Sequence, residues 1–146
     1  MWFFKNKVEP KAPFFVWSDL EHSVGIRIFD AEHQRLAEMM AQIHDVLLKE
    51  HDRPRALKLI EKLVQETRDH FAHEELVMAE AQFSDLESHA AEHMALIAQA
   101  QDMLRQFRTG AISARLFPSF LRDLLIPHIQ EYDRKYTETL RRLGLR

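Results

Sequence analysis

His70 and Glu74 stand four residues apart in the run His70-Phe71-Ala72-His73-Glu74-Glu75-Leu76-Val77-Met78. Four residues is about one turn of an α-helix, so both side chains leave the same face. Leu57, Ile60, Val64, Phe71 and Met78 recur at helical spacing around them and turn that face inward. A histidine and a carboxylate on a buried face need a partner, because an unpaired buried charge costs several kcal/mol. Metal coordination supplies one. His89 and His93 repeat the one-turn spacing, His33 falls on an earlier inner stripe, and His128 and Asp133 fall on a later one. Five imidazoles and two carboxylates exceed what a single ion takes and suit two adjacent ions joined by bridging carboxylates. No glutamate lies three residues before any histidine, which disfavours the Glu-x-x-His di-metal site of other bundles. His128 and Asp133 are spaced awkwardly. Five residues on a regular helix point two side chains about 140° apart. The pair converges only if the backbone is locally distorted or the carboxylate reaches sideways, and Pro127 is a candidate source of distortion.

Four helices must position these groups. The first is expected from Asp30, as its N-cap, to about Glu50, with His33, Leu36, Met40, Ile43 and Leu47 inside. Asp52-Arg53-Pro54 ends it and opens a second over 54–81, proline suiting a first helical turn. Ser84-Asp85-Leu86-Glu87 has the form of a capping box for a third helix over 85–108, which Thr109-Gly110 terminates. The fourth is expected over 113–143, kinked or bulged at Pro127. Short connections between long helices predict an all-α fold, an antiparallel up-down-up-down four-helix bundle over residues 30–146. Residues 1–29 are expected to form an irregular N-terminal arm on that single domain, with Phe14, Phe15 and Trp17 packed on the bundle. Trp2, Phe3 and Phe4 either pack as well or meet a protein partner or a membrane surface.

The bulk numbers agree with one helical domain. The chain has 146 residues, 46% apolar and 29% charged, with only three glycines and five prolines and no segment that alternates like a strand. Its net charge of −3, with both signs interspersed, leaves no basic footprint for nucleic acid. With no cysteine, disulfides, zinc–thiolate sites and iron–sulfur clusters are excluded. What remains for a metal is carboxylate and imidazole from nine histidines, a donor set that suits iron, zinc or copper. No apolar run is long enough to span a membrane, and the apolar block at the start is too short for a signal peptide, so a soluble cytoplasmic protein is expected.

Four pieces appear in order: Val24-Gly25-Ile26 with Asp30-Ala31-Glu32-His33, His70-Phe71-x-x-Glu74-Glu75-x-x-Met78, His89-x-x-x-His93, and His128-Ile129-x-x-x-Asp133-x-x-Tyr136. Across about residues 17–140 this pattern resembles the hemerythrin family, specifically its single-domain bacterial members. The resemblance implies two non-haem iron ions with a bridging oxygen (oxo or hydroxo) and reversible binding of dioxygen for carriage, storage or sensing. It assigns His89, His93 and His128 to one iron, His33 and His70 to the other, and Glu74 and Asp133 to both. The two-histidine iron would keep a position open for O2, and Leu125 and Ile129 would wall a dry pocket around it. Two departures, Leu124 where many members carry tryptophan and Pro127 just before a ligand histidine, bear on ligand access and oxidation rate. An oxygen carrier rather than an enzyme is expected. The alternatives are a di-iron enzyme consuming peroxide or nitric oxide, and an interaction module docking through the N-terminal aromatic arm. His22, His44, His51 and His73 lie outside the pattern and are expected in surface or cap roles. Glu75 is expected to face solvent or another helix.

Overall fold

The computed structural model describes residues 13–146. The chain opens with a short helix α1 (Asp19–His22), followed by α2 (Arg27–Leu48), α3 (Arg53–Glu80), α4 (Leu86–Thr109) and α5 (Phe117–Glu131). A 3₁₀ turn (Asp133–Tyr136) and a last short helix α6 (Thr137–Arg142) follow. α2 packs on α3 and α5, and α4 packs on the same two helices, so α2 to α5 close a ring in chain order. That is the up-down-up-down bundle expected from short connections. Trp2–Phe4, which the sequence left open as a docking arm, lie outside the described residues.

Helix ends follow local chemistry, with some shifts. Asp52 caps α3 by accepting the Arg55 amide at 3.0 Å, and Pro54 sits in the first turn. Gly110 ends α4 in the left-handed conformation, as its position after the last apolar repeat requires. Asp30 does not cap: α2 begins at Arg27, and the Asp30 carboxylate accepts from Ser23 Oγ at 2.6 Å and the Val24 amide at 2.8 Å. It therefore fastens the segment before the helix. The expected capping box fails too, because Asp85 occupies the N-cap of α4 and no side chain caps it. The single fourth helix is three pieces, α5, the 3₁₀ turn and α6. α5 runs helically through Pro127, and the regular α-helix ends only at Glu131.

Residues 18–27, expected as part of an irregular arm, hold α1 and are strapped to the chain's other end. Thr137 Oγ1 donates to the Val24 carbonyl at 2.5 Å, Arg134 Nε to Ser23 at 3.3 Å and Arg141 Nη2 to Gly25 at 3.2 Å. Arg134 and Arg141 are thus tethers. Gly25 has φ +72°, a conformation that favours glycine, and a Cβ there would meet Arg141 Nη2 at 2.6 Å and displace that tether. Val24, Ile26, Phe29, Met78, Tyr136 and Leu140 are buried at this end of the bundle. Ile43, Val46, Ile60, Phe107 and Phe117 join the same main core from α2 to α5. A smaller cluster of Phe71, Leu96 and Ile97, with Leu124 against it, sits separately. Full burial of such a side chain contributes about 1.5–3 kcal/mol, so these apolar contacts offset the cost of enclosing polar groups.

Candidate metal centre

α2 brings His33 inward, α3 brings His70 and Glu74, α4 brings His89 and His93, and α5 brings His128. Asp133 comes from the first position of the 3₁₀ turn. All seven are buried, none more than 5% exposed. The five-residue spacing of His128 and Asp133 is accommodated because the regular helix ends between them, so the regular-helix angle does not apply. Their facing atoms, His128 Nε2 and Asp133 Oδ1, are 2.9 Å apart.

The carboxylates divide their oxygens between two groups of histidines. Glu74 Oε1 lies 3.4 Å from His33 Nε2 and 3.3 Å from His70 Nε2, while its Oε2 lies 3.2 Å from His93 Nε2 and 3.7 Å from His89 Nε2. Asp133 does the same, with Oδ2 3.1 Å from His33 Nε2 and Oδ1 3.0 Å from His89 Nε2. Two donor sets result, Glu74, His89, His93, His128 and Asp133 in one, and His33, His70, Glu74 and Asp133 in the other. Within each, the donor atoms lie within 4.8 Å of one another. Each carboxylate belongs to both sets.

Although these atoms are near one another, their directions do not make hydrogen bonds. The Nε2 atoms of these five histidines, Glu74 Oε2 and both Asp133 oxygens are buried without a hydrogen-bond partner among the described residues. A buried polar group left so costs about 1–3 kcal/mol. Two cations placed among these lone pairs would satisfy them together, so the residues present fit a pair of metal ions. The donors are imidazole nitrogen and carboxylate oxygen only, a set that accommodates iron.

The second layer is where sequence reasoning fell short. Glu32 accepts from His70 Nδ1 at 2.5 Å and from His73 Nδ1 at 2.6 Å. Glu75, expected toward solvent or another helix, reaches α4 and accepts from His93 Nδ1 at 2.8 Å. Tyr136 donates its hydroxyl to Glu74 Oε1 at 2.7 Å. Each acceptor on an Nδ1 leaves the opposite Nε2 lone pair facing the site. Glu32 and Glu75 each adjoin a donor residue in sequence, but their partners lie on other helices, and spacing along one helix carries no record of that. Of the remaining histidines, His22 is buried, not superficial, and its Nδ1 accepts the Ser18 amide at 3.0 Å, a cap role on α1. His44 stacks on Phe14, and His51 holds the left-handed turn between α2 and α3.

The charges lock together in the metal-free chain. Burial alone pushes the His70 pKa down, but the Glu74 and Glu32 carboxylates raise it to about 10. His89 is likewise pushed down by burial and raised by Asp133 and Glu74, to about 9. Burial works to raise Glu74 and Asp133, yet the surrounding imidazoles hold both below the ordinary carboxylate range. Glu32 is also held low, because the His70 and His73 hydrogen bonds overcome its partial burial.

Phe71 covers the His93 side, its ring stacked at 3.8 Å between centroids and 4° between planes. The same ring lines an apolar cavity of about 40 Å³ with Met40, Leu63, Leu96, Leu124 and Leu125. Leu125 is therefore a wall of that cavity. Ile129 is not among its lining residues and is fully buried in the main core.

Residues 24–140 match the model of the hemerythrin HHE cation binding domain. The chain belongs to the hemerythrin family. It is 31% identical to a bacteriohemerythrin of Pseudomonas aeruginosa over 127 residues, covering 86% of this chain and 81% of that protein. It is 30% identical to a myohemerythrin of Riftia pachyptila over 126 residues, covering 86% of this chain and 93% of that one. The crystal structure of a wild-type hemerythrin superposes with a TM-score of 0.78 at 26% identity, covering 87% of this chain and 98% of that chain. The matched span, residues 24–140, contains both donor sets. Among the described residues, no helix of this chain is long and apolar enough to cross a membrane.

Proposed function

We propose that the chain binds dioxygen reversibly at two non-haem irons, as a carrier, store or sensor. One observation carries the reading: two groups of buried histidines share Glu74 and Asp133, each carboxylate turning one oxygen to each group. His89, His93 and His128 would hold one iron, His33 and His70 the other, with Glu74, Asp133 and an oxo or hydroxo oxygen between them. The set with fewer imidazoles, His33 and His70 with the two carboxylates, would be the one to accept a further ligand. Iron held there would supply the electrons with which O2 is taken up and returned.

The chain's own residues do the rest. Glu32 and Glu75 orient His70 and His93 by accepting from Nδ1. Tyr136 fixes one Glu74 oxygen. Phe71, Leu96, Ile97 and Leu125 keep water from the site and leave an apolar space beside it. A dry enclosure favours return of the ligand unchanged over side reactions with water.

The test is metal content together with optical spectra cycled between anaerobic reduction and air. Two irons per chain, with charge-transfer bands that appear with O2 and vanish on its removal, is the expected result. Irreversible oxidation with turnover of added peroxide or nitric oxide would favour a di-iron enzyme instead. Protein grown with ample iron that contains none would sink the di-iron reading.

A further inference from the structure

His73 lies on α3 three residues beyond His70 and one before Glu74, and local spacing assigns it no part in the site. The structure gives it a partner that matters. Both oxygens of Glu32, a residue of α2, are taken by α3 histidines, Oε2 by His70 Nδ1 at 2.5 Å and Oε1 by His73 Nδ1 at 2.6 Å. An ionised carboxylate only accepts, so each ring must present Nδ1–H to it. For His70 this leaves Nε2 as the ring atom turned to the site: it is the buried atom without a hydrogen-bond partner that faces Glu74, and the one that would give up its proton to a metal. Phe29 sets its edge against both rings, 6.1 Å from His70 and 5.2 Å from His73 between centroids. His70 is buried, whereas the His73 and Glu32 side chains are about one-third exposed, at 33% and 29%. A glutamate exposed to that extent and held by one hydrogen bond can swing to water. Held at both oxygens, it cannot do so without breaking the second bond.

We propose that His73 is a positioning residue of the metal centre: by holding the second oxygen of Glu32, it fixes the tautomer and ring orientation of His70. The inference rests on the two-metal reading above. The other donor set has a simpler arrangement, because Glu75 takes His93 Nδ1 and no second side chain holds it. The His33 and His128 Nδ1 atoms are buried and have no hydrogen-bond partner. Among the described residues the Glu32 clamp is therefore the only side-chain anchor on a histidine Nδ1 of the His33–His70 set, and that set is the one with fewer imidazoles.

The test compares full-length wild type, His73→Leu, His73→Asn, Glu32→Gln and the double variant His73→Leu/Glu32→Gln. Ferrous iron release to a chelator is timed, and the His70 Nδ1–H resonance is followed by nitrogen-edited NMR in zinc-loaded protein. Loss of an outer-layer partner of a metal-bound histidine costs about 10–100-fold in metal affinity. His73→Leu is expected to speed release of one of the two irons by about tenfold and to expose the His70 Nδ1–H to faster solvent exchange. His73→Asn, which retains a donor near the Nδ1 position, is expected to restore most of both. The double variant should be no worse than Glu32→Gln alone, because His73 acts through Glu32. Wild type that holds two ions, with release and the His70 resonance unchanged in His73→Leu, overturns the clamp alone. Additive losses in the double variant overturn it as well. Wild type that cannot take up two ions overturns the reading of the site, and the clamp's role with it.

Discussion

The hydroxyl of Tyr136 donates to Glu74 Oε1 at 2.7 Å, and that same oxygen lies 3.3 Å from His70 Nε2. A phenol from the 3₁₀ turn thus holds the α3 carboxylate that both donor sets share. Burial, with Glu74 beside it, pushes the Tyr136 pKa well above the usual value, so the group stays a donor. Tyr136→Phe should keep the buried ring and remove only this bond. Hydrogen bonds to charged groups are worth about 1.5–3 kcal/mol, and the metal-free variant should lose about that much in urea unfolding. Iron should also leave it faster than it leaves wild type.

Replacing either shared carboxylate should affect both ions. In Glu74→Gln the amide nitrogen cannot act as an acceptor, so one donor set loses an oxygen and the other keeps only a neutral carbonyl in place of the carboxylate, and His70 loses the charge that raises its pKa most. Metal analysis after iron loading should show fewer than two ions per chain. The metal-free variant should be about 3–5 kcal/mol less stable at pH 7, the cost of breaking a buried charge pair from one side. Asp133→Asn should behave alike, whereas substitution of a donor in one set only, such as His128→Ala, should spare one ion.

Metal-free protein should have an unusual pH profile. His70 and His89 have folded pKa values of about 10 and about 9, raised from 6.5. Their stabilisation is therefore complete below pH 6.5 and is lost as pH rises through 9 to 10. Glu74 and Asp133 are depressed, so theirs is present above the ordinary carboxylate range and lost as pH falls below it. Chemical denaturation across pH should show the greatest stability in mildly acidic solution and a decline toward pH 10. Because His70 and His89 carry protons at pH 7, loading with metal should release protons in a weakly buffered titration.

Leu124 borders the apolar cavity beside Phe71. Leu124→Trp should fill that space, at a cost of about 1–3 kcal/mol if the walls do not relax. In stopped-flow measurements O2 uptake and release should slow together, with little change in equilibrium affinity. A change in affinity alone would show that the space beside Phe71 is not the route.

Residues one turn apart carried much of this site in the sequence. His70 with Glu74, and His89 with His93, share faces because helix geometry is regular over four residues. Asp133 did not follow from that geometry, since the helix that holds His128 stops at Glu131 and a tighter turn places the carboxylate. Asp30 carried a capping signal that tertiary contacts overrode, as Ser23 and Val24 claimed its oxygens. Glu32 was legible only as part of a family motif, because its bonds to His70 and His73 join residues 38 and 41 positions away. Contacts of that kind are made by packing angles between helices, and no periodicity along one helix encodes them.

Asp133 serves both donor sets from a turn that follows all four long helices. A chain emerging from the ribosome presents its histidines and Glu74 first and this aspartate last. On the two-metal reading proposed above, neither ion would gain its full set of donors until that turn has been synthesised and has docked. Metal capture would then be a late event in the protein's biogenesis, and a nascent chain with only its earlier helices exposed should carry no mature centre.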